Sequence, residues 1–375
     1  MSAIPFDDRA SPSSKRRATT RAKGGAGAPA QAAGATAPGN IAWKELGFRY
    51  LDTGVFIRAD FRDGKWSAPE LCTGSSMSMH IAATCFHYGQ ACFEGLKAFR
   101  QIDGRVACFR PDAHARRMQL SARRLVMAPP PESLFLDAVR TIVAENDAYV
   151  PPYGTGATFY VRPLLIGTSA VIGVHPSDDY AFIVFGMPVG PYYKDGMVPV
   201  PAYVQEKYDR AAPHGVGHIK AGGNYAAGLI GDMEVKQKGY PVSLYLDSGT
   251  HSLIDEFGTS NFIGITRDGR YVTPKSSSIL ESVTNDSLRT IARDLGLKVE
   301  HRPVRWTEIE DFAEIGACGT AAVITPISSI TRGDQTLRIG AEDKPGKTLQ
   351  RLYDEIQGIQ YGKIPDRHGW MMPVG

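Results

Sequence analysis

The sequence predicts a mixed fold of β-strands and α-helices in two domains. Three observations support this prediction: the length of 375 residues, a composition with 43% apolar and 22% charged residues, and an alternation of strand-like runs with amphipathic helices. At roughly 150 residues per domain, the length corresponds to two domains. This composition supports a sizeable core and excludes a wholly disordered, collagen-like or coiled-coil chain.

The first predicted domain covers residues 41–189. A hairpin is expected around Asp103-Gly104, since this dipeptide favours a tight turn. Asp112 is expected to cap a first helix that ends before a proline cluster, and a second helix is expected over 133–148. Two strand-like runs follow, at 157–167 and 180–189.

Turn-forming residues dominate 190–199, which we predict to link the two domains. The second predicted domain, 200–375, alternates strands and helices more regularly. In it a helix is expected over 285–295, because apolar residues recur on one face and Gly296 is well placed as its C-terminal stop.

Residues 1–40 are predicted to be a flexible tail, because their few apolar side chains cannot offset the entropy of ordering. Six basic against two acidic side chains give this tail a charge of +4, so the other 335 residues sum to −1. An organelle transit peptide and an accessory basic arm are the alternative interpretations. A body this neutral gives no electrostatic reason to expect nucleic acid or a membrane as the main partner.

The five cysteines are odd in number and widely spaced, which is typical of a reducing compartment and argues against a disulfide framework. There is no apolar signal core, and no apolar stretch approaches the roughly 18 residues of a spanning helix. We therefore predict a cytoplasmic protein, or a mitochondrial one if the source is eukaryotic and the tail is a transit peptide. No metal site is predicted, since the histidines do not pair with cysteine or acids at ligand spacing.

The segment 215–229, GVGHIKAGGNYAAGL, is the most distinctive part of the chain. Glycines on both sides of Lys220 allow the backbone to approach it closely. An apolar neighbourhood lowers the pKa of a lysine, which imine chemistry requires of a lysine nucleophile. Position alone does not distinguish Lys220 from an ordinary solvated loop lysine.

Six ordered motifs resemble those of the branched-chain-amino-acid aminotransferases, fold-type IV enzymes that use pyridoxal 5′-phosphate (PLP), and the similarity runs from about Trp43 to the C terminus. The motifs are HYGQACFEGLKAFR (87–100), YVRPLLIG (160–167), KAGGNYA (220–226), DEFGTSNFIGI (255–265), ACGTAAVITPI (317–327) and YGKIPDRHGW (361–370). The resemblance implies two mixed α/β domains with the cofactor at their interface, and a homodimer. It implies a transaminase that exchanges an amino group between leucine, isoleucine or valine and 2-oxoglutarate in two half-reactions.

By this resemblance, Lys220 binds PLP covalently and shuttles a proton, and Tyr225 hydrogen-bonds the phenolic oxygen of the cofactor. Glu256 resembles the acid that pairs with the pyridine nitrogen and keeps it protonated. Asp255 is the rival acid. Because successive strand side chains face opposite sides, only one of the two acids faces the cofactor.

The phosphate-binding residues implied by the resemblance are a cation and a helix start. Arg117 matches the family arginine, and the neighbouring Arg116 lies about 100° round the helix. Val283 and Thr284 lie at a helix N-terminus, where free N–H groups and the helix dipole favour a dianion. Glu281-Ser282 departs from the Pro-Gly of the family, so that this carboxylate either weakens phosphate binding or points to solvent.

The substrate residues are also implied by the resemblance. Thr320 contacts the phosphate, and the turn from Gly319 to Ala321 binds the substrate α-carboxylate. Tyr160 and Arg162 orient the substrate, and Arg162 is suited to the distal carboxylate of glutamate. The apolar side-chain pocket is formed by four aromatic residues: Phe48, Tyr88, Phe93 and Tyr192.

Two other kinds of function are alternatives. One is a different reaction on the same fold, such as that of a D-amino-acid aminotransferase or aminodeoxychorismate lyase. The sequence GNYA after Lys220 and the presence of Arg162 argue against it. The other is a non-catalytic scaffold whose basic tail binds a polyanion, against which the intact Lys220, Tyr225, Glu256 and Arg117 argue.

Overall fold

A computed structural model describes residues 37–191 and 196–375, which belong to one compact unit. The predicted tail therefore lies almost wholly outside the described residues, as does Tyr192. The last residues of that tail, Pro38–Asn40, form a single 3-10 turn. Strands and helices alternate along the described residues, so the predicted mixed α/β class is confirmed.

The described strands are β1 (Val55–Arg62), β2 (Lys65–Trp66), β3 (Glu70–Thr73), β4 (Ala91–Phe93), β5 (Leu96–Arg100), β6 (Val106–Phe109), β7 (Thr158–Gly167), β8 (Tyr180–Val189), β9 (Val200–Gln205), β10 (Val242–Leu246), β11 (Leu253–Phe257), β12 (Ser260–Thr266), β13 (Tyr271–Pro274), β14 (Val299–Arg302), β15 (Val304–Arg305), β16 (Phe312–Gly319), β17 (Val323–Arg332), β18 (Gln335–Arg338) and β19 (Met371–Val374). The described α-helices are α1 (Thr84–Tyr88), α2 (Pro111–Arg124), α3 (Glu132–Glu145), α4 (Gly222–Gln237), α5 (Val283–Asp294) and α6 (Lys347–Gln360).

The strands form two sheets. The first has the order β19-β6-β5-β7-β8-β1-β2, with β3 paired to β1 and β4 paired to β7. The second has the order β14-β13-β12-β16-β17-β9-β10-β11-β15, and β18 pairs with β17. Because β11 also pairs with β12, six strands of the second sheet close into a ring.

The C-terminal strand β19 returns to the first sheet by pairing with β6. The two sheets also share an apolar cluster, in which Phe99 and Phe109 of the first sheet lie with Leu288 of α5 and Ile356 of α6. The domain boundary at 190–199, between β8 and β9, stays a prediction. None of the described helices has the length and apolar character needed to cross a bilayer.

Two helix starts differ from the sequence prediction. Asp112 is not the cap of α2; the helix begins at Pro111, with Arg110 as its N-cap residue. Proline is favoured at the first helical position because its missing N–H is not needed there. Likewise α5 begins two residues before 285, because Ser282 Oγ accepts a hydrogen bond from the Asn285 N–H and caps it.

The predicted helix over 133–148 also ends earlier than expected. Its α-helical part, α3, stops at Glu145, and Asp147–Tyr149 forms a 3-10 turn. The Asn146 side chain donates to the Ile142 carbonyl at 2.8 Å, which satisfies one of the free carbonyls at the helix end.

Candidate active site

Lys220 lies in the crossover that joins the parallel strands β9 and β10, just before α4. Its backbone is fixed on both sides: its N–H donates to Ser121 Oγ at 3.0 Å, and its carbonyl accepts from the Phe93 N–H at 3.1 Å. Its Nζ donates to the Tyr225 hydroxyl at 2.6 Å. The start of α4 therefore brings together two side chains that are five residues apart.

The surroundings of Lys220 change its protonation. Burial, together with the positive charges of Arg117 and Arg162, lowers the pKa of Lys220 to about 7, although the nearby carboxylates of Glu94 and Glu256 oppose this shift. Burial raises the pKa of Tyr225 to about 12. Above about pH 7 the lysine is therefore mainly the neutral amine, the form that attacks a carbonyl carbon, while the tyrosine keeps its proton.

Glu256 is buried on strand β11, with 4% of its surface exposed. Its carboxylate accepts hydrogen bonds from the Asn261 side chain at 2.8 Å and the Leu280 N–H at 3.0 Å. Arg210 forms an ion pair with it at 2.6 Å. Burial raises the pKa of Glu256, and the three donors oppose that rise by favouring the ionised form.

Asp255 has different partners from Glu256. One of its oxygens, Oδ2, accepts from Ser278 Oγ at 2.7 Å, and its other oxygen has no hydrogen-bond partner among the described residues. The two adjacent acids thus have separate environments, as strand alternation predicts.

Arg210 is a residue that the sequence analysis missed. Besides its ion pair with Glu256, its guanidinium donates to the Gly217 carbonyl at 3.0 Å and to the Ser278 carbonyl. A single arginine in a loop, ten residues before Lys220, carries no motif of its own. Its proximity to the lysine motif was the available signal.

Arg117 is held by a buried acid that was also missed, Glu94. Two parallel hydrogen bonds of 2.7 Å join the guanidinium to both carboxylate oxygens. The His114 ring Nδ1 lies 2.7 Å from the same carboxylate. Although burial alone would raise the pKa of Glu94, Arg117 and His114 hold it well below its usual range. This arrangement fixes Arg117 in one orientation.

The remaining nitrogen of the Arg117 guanidinium, Nη1, faces the start of α5 and donates to the Glu281 carbonyl at 2.9 Å. Val283 and Thr284 are the first two residues of this helix, and N–H groups at these positions have no intrahelical acceptor. A cation and free amides therefore lie side by side. Arg116, by contrast, is 54% exposed and pairs with Asp112.

The Glu281 side chain points to solvent. It is 67% exposed, and its carboxylate lies 3.8 Å from Arg289. The sequence left open whether the Glu281 carboxylate weakens phosphate binding or points to solvent. This geometry favours the solvent-facing position, because the backbone carbonyl rather than the carboxylate contacts Arg117.

A second group of side chains lies next to Lys220. Arg162 donates to the Tyr160 hydroxyl at 3.1 Å and lies 4.8 Å from the centre of the Phe93 ring. Lys220 Nζ lies 4.9 Å from the same ring, and Phe48 packs edge-on against Tyr160. The Arg162 Nε is buried and has no partner among the described residues, so it is available to an anionic ligand.

The turn of residues 320–322, which includes Thr320 and Ala321, connects Gly319 at the end of β16 to β17. The next residue, Val323, has a φ of 66°, which is a left-handed conformation that β-branched residues rarely adopt. Such conformations cost roughly 1–3 kcal/mol and concentrate at functional sites.

Among the described aromatic residues predicted to form the apolar pocket, Tyr88 lies apart from the side chains next to Lys220. It is 41% exposed at the end of α1, and its hydroxyl donates to the Ile172 carbonyl. Within the described ranges, no three His, Cys, Asp or Glu side chains are arranged to hold a metal ion.

Comparison with known proteins supports the resemblance. The sequence model of the class IV amino-transferase family matches residues 91–330. A branched-chain-amino-acid aminotransferase of Haemophilus influenzae is 44% identical over 341 residues, covering 89% of this chain and 99% of the relative. One from Helicobacter pylori is 43% identical over 338 residues, covering 90% and 98%.

Among solved structures, the branched-chain amino acid aminotransferase of Escherichia coli is 25% identical. It has a TM-score of 0.72 and covers 84% of this chain and 99% of its own. The predicted fold-type IV architecture is thereby confirmed. With a family match over more than half of its length and relatives of this similarity, the chain belongs to the class IV aminotransferase family.

Proposed function

We propose that this protein is a PLP-dependent branched-chain-amino-acid aminotransferase, which exchanges an amino group between leucine, isoleucine or valine and 2-oxoglutarate. The observation that carries the proposal is the buried amine of Lys220, 2.6 Å from Tyr225 and close enough to Arg117, Arg162 and Glu256 for their charges to shift its pKa. The relatives from Haemophilus influenzae and Helicobacter pylori carry the same name.

The residues fit the three reactive parts of PLP. A neutral amine suits its aldehyde, the Arg117 guanidinium beside the start of α5 suits its phosphate, and the buried Glu256 carboxylate suits its pyridine nitrogen. When bound, PLP supplies an electron sink that stabilises negative charge at the substrate Cα. The Tyr225 hydroxyl is assigned to its phenolic oxygen, and Val283, Thr284 and Thr320 to its phosphate.

The roles of the other side chains follow from their chemistry. Lys220 holds the cofactor and then moves the proton at Cα, which a lysine with a lowered pKa does readily near neutral pH. Arg162 and Tyr160 recognise the distal carboxylate of glutamate. Phe93 forms one wall for an apolar side chain, with Phe48 next to Tyr160.

A panel of amino donors with 2-oxoglutarate tests the proposed function. We expect glutamate to form with L-leucine, L-isoleucine and L-valine, no glutamate to form with D-alanine, and no pyruvate to be released from aminodeoxychorismate. Turnover of D-alanine together with inert L-leucine would overturn the proposal in favour of a D-amino-acid aminotransferase.

Replacing Arg162 with methionine is expected to raise the apparent KM for glutamate and 2-oxoglutarate more than that for leucine. The distal carboxylate of glutamate loses a charge-assisted contact worth roughly 1.5–3 kcal/mol, which corresponds to about a tenfold to hundredfold effect. Steady-state kinetics with both amino donors measure this difference. Equal losses for leucine and glutamate would make Arg162 a structural residue.

We also propose a homodimer, supported by large apolar side chains that are exposed in the single chain. They are Ile81, Phe86, Tyr88, Ile172 and Val174 near α1, and Leu229, Ile230 and Met233 on α4. Burial of such surfaces drives association. Light scattering at micromolar concentration is expected to give twice the chain mass, and a monomeric mass would contradict the proposal.

A further inference from the structure

The proposed phosphate site is built from two halves that belong to different parts of the fold. Arg117 lies on α2, whose Met118 packs into the apolar core of the first sheet. The start of α5 carries Val283, and this helix packs through Leu288 in one cluster with Ile263 of the second sheet. A site divided in this way binds a phosphate tightly only if the two helices keep a fixed distance.

Arg110 connects these two helices directly. It is the N-cap residue of α2, and its side chain, 13% exposed, reaches across to the beginning of α5. Its Nη1 lies 2.8 Å from the Asp286 carboxylate and also donates to Ser287 Oγ at 2.8 Å. Ser287 Oγ in turn donates to the Val283 carbonyl at 2.9 Å. One guanidinium group therefore links the start of α2 to the turn of α5 that is assigned to the phosphate.

The C-terminal segment holds Arg110 in this position. The Arg110 N–H donates to the Trp370 carbonyl at 2.7 Å, and its guanidinium carbon lies 5.2 Å from the centre of the Trp370 ring. That ring also stacks on His368, whose Nε2 lies 2.8 Å from Asp294 at the end of α5. Arg110 has a φ of 48°, a left-handed conformation that persists only where the surrounding structure fixes it. Because these contacts already restrict the Arg110 side chain, its ion pair with Asp286 costs little further entropy.

We propose that the Arg110–Asp286 ion pair is a clasp that sets the distance between Arg117 and the start of α5, which makes Arg110 a positioning residue for the phosphate of the cofactor. The proposal rests on the proposed function, because the phosphate is that of PLP. Its defining consequence is that loss of either member of the pair weakens the binding of PLP and spares that of pyridoxal, which lacks the phosphate.

The opposite charges of the two members separate positioning from the long-range effect of charge. Removing the Arg110 cation weakens phosphate binding by either route. Asp286, however, carries a negative charge in the first turn of α5, where it repels a phosphate bound at that end of the helix. If charge alone mattered, removing this carboxylate would tighten the binding of PLP, whereas loss of the clasp weakens it.

The experiment measures dissociation constants by equilibrium dialysis of the full-length protein loaded with PLP or with pyridoxal. In both Arg110→Met and Asp286→Ala we expect the constant for PLP to rise about tenfold, and that for pyridoxal less than about threefold. The double variant should bind PLP no more weakly than either single variant, because both substitutions remove the same contact. Arg116→Met removes an exposed arginine from the same helix and is the matched control, which should leave both constants within about twofold.

Unchanged or tighter binding of PLP in Asp286→Ala would overturn the clasp, as would equal weakening of PLP and pyridoxal. Should Arg110→Met fail to fold, Asp286→Ala decides alone, since the Asp286 side chain is 46% exposed and its loss leaves no buried gap. Failure of the proposed function is distinguishable, because it would appear as absent leucine turnover in the unaltered protein, whereas dialysis needs no turnover.

Discussion

Replacing Lys220 with alanine is expected to abolish transamination, with a loss of at least about 10²–10⁴-fold, the range that a positioned acid–base group contributes. This variant loses both the amine that holds the cofactor and the group that moves the proton at Cα. Borohydride treatment of the unaltered, yellow protein followed by peptide mapping should place the pyridoxyl group on Lys220. A label on Lys97 or another lysine would show that the site assignment is wrong.

The lowered pKa of Lys220 also predicts how the reaction of this lysine with an aldehyde depends on pH, which can be measured without turnover. The neutral amine attacks an aldehyde, so capture of pyridoxal by cofactor-free protein should rise with pH around a midpoint of about 7. A lysine at its ordinary pKa would instead give a midpoint above about pH 10. Borohydride trapping at a series of pH values measures the midpoint, and Lys220→Ala provides the background.

Arg117 supplies a second test of the same electrostatics. Its charge lowers the pKa of Lys220, so Arg117→Met should shift the midpoint of pyridoxal capture upward. Pyridoxal has no phosphate, which separates this effect from the proposed role of Arg117 in phosphate binding. An unchanged midpoint would assign the lowered pKa to burial and Arg162.

The site residues that the sequence predicted are each distinguished from their neighbours within a short segment of the chain. Lys220 and Tyr225 meet because one helix starts between them, and Arg117 is separated from Arg116 by the rotation of a helix. Strand alternation likewise separates Glu256 from Asp255. In each case the period of one element decides which side chain faces the site.

The parts that the sequence did not predict join distant elements. Glu94 lies on the segment between β4 and β5 and binds Arg117 on α2, and Arg210 lies in a loop and binds Glu256 on β11. Neither pair has a helical or strand spacing, so no periodicity connects them. Such pairs are set by how the sheets and helices pack.

The second large effect is expected for Glu256→Gln, which should lower kcat about tenfold to hundredfold while the protein still binds PLP. The carboxylate is assigned to hold the proton of the pyridine nitrogen as negative charge moves from Cα into the ring. Since that stabilisation grows toward the transition state, its loss affects turnover more than cofactor affinity. A lost interaction of roughly 1.5–3 kcal/mol corresponds to this range.

The contacts of Glu256 sharpen this prediction. The glutamine amide can replace one carboxylate oxygen toward the Leu280 N–H or Asn261, but it cannot balance the charge of Arg210, 2.6 Å away. Breaking a buried ion pair costs roughly 3–5 kcal/mol, so the variant should also unfold at a lower temperature. Bound PLP and thermal unfolding are therefore measured with kcat, to separate a chemical defect from a structural one.

Asp255→Asn is the matched control, because it makes the same change of charge at the adjacent position. Its carboxylate accepts one hydrogen bond, from Ser278, which an asparagine oxygen also accepts. We therefore expect leucine turnover to stay within about twofold of the unaltered protein, as for a substitution that keeps its one contact. If Asp255→Asn lost turnover and Glu256→Gln kept it, the pyridine nitrogen would face Asp255, and the assignment of the two acids would be reversed.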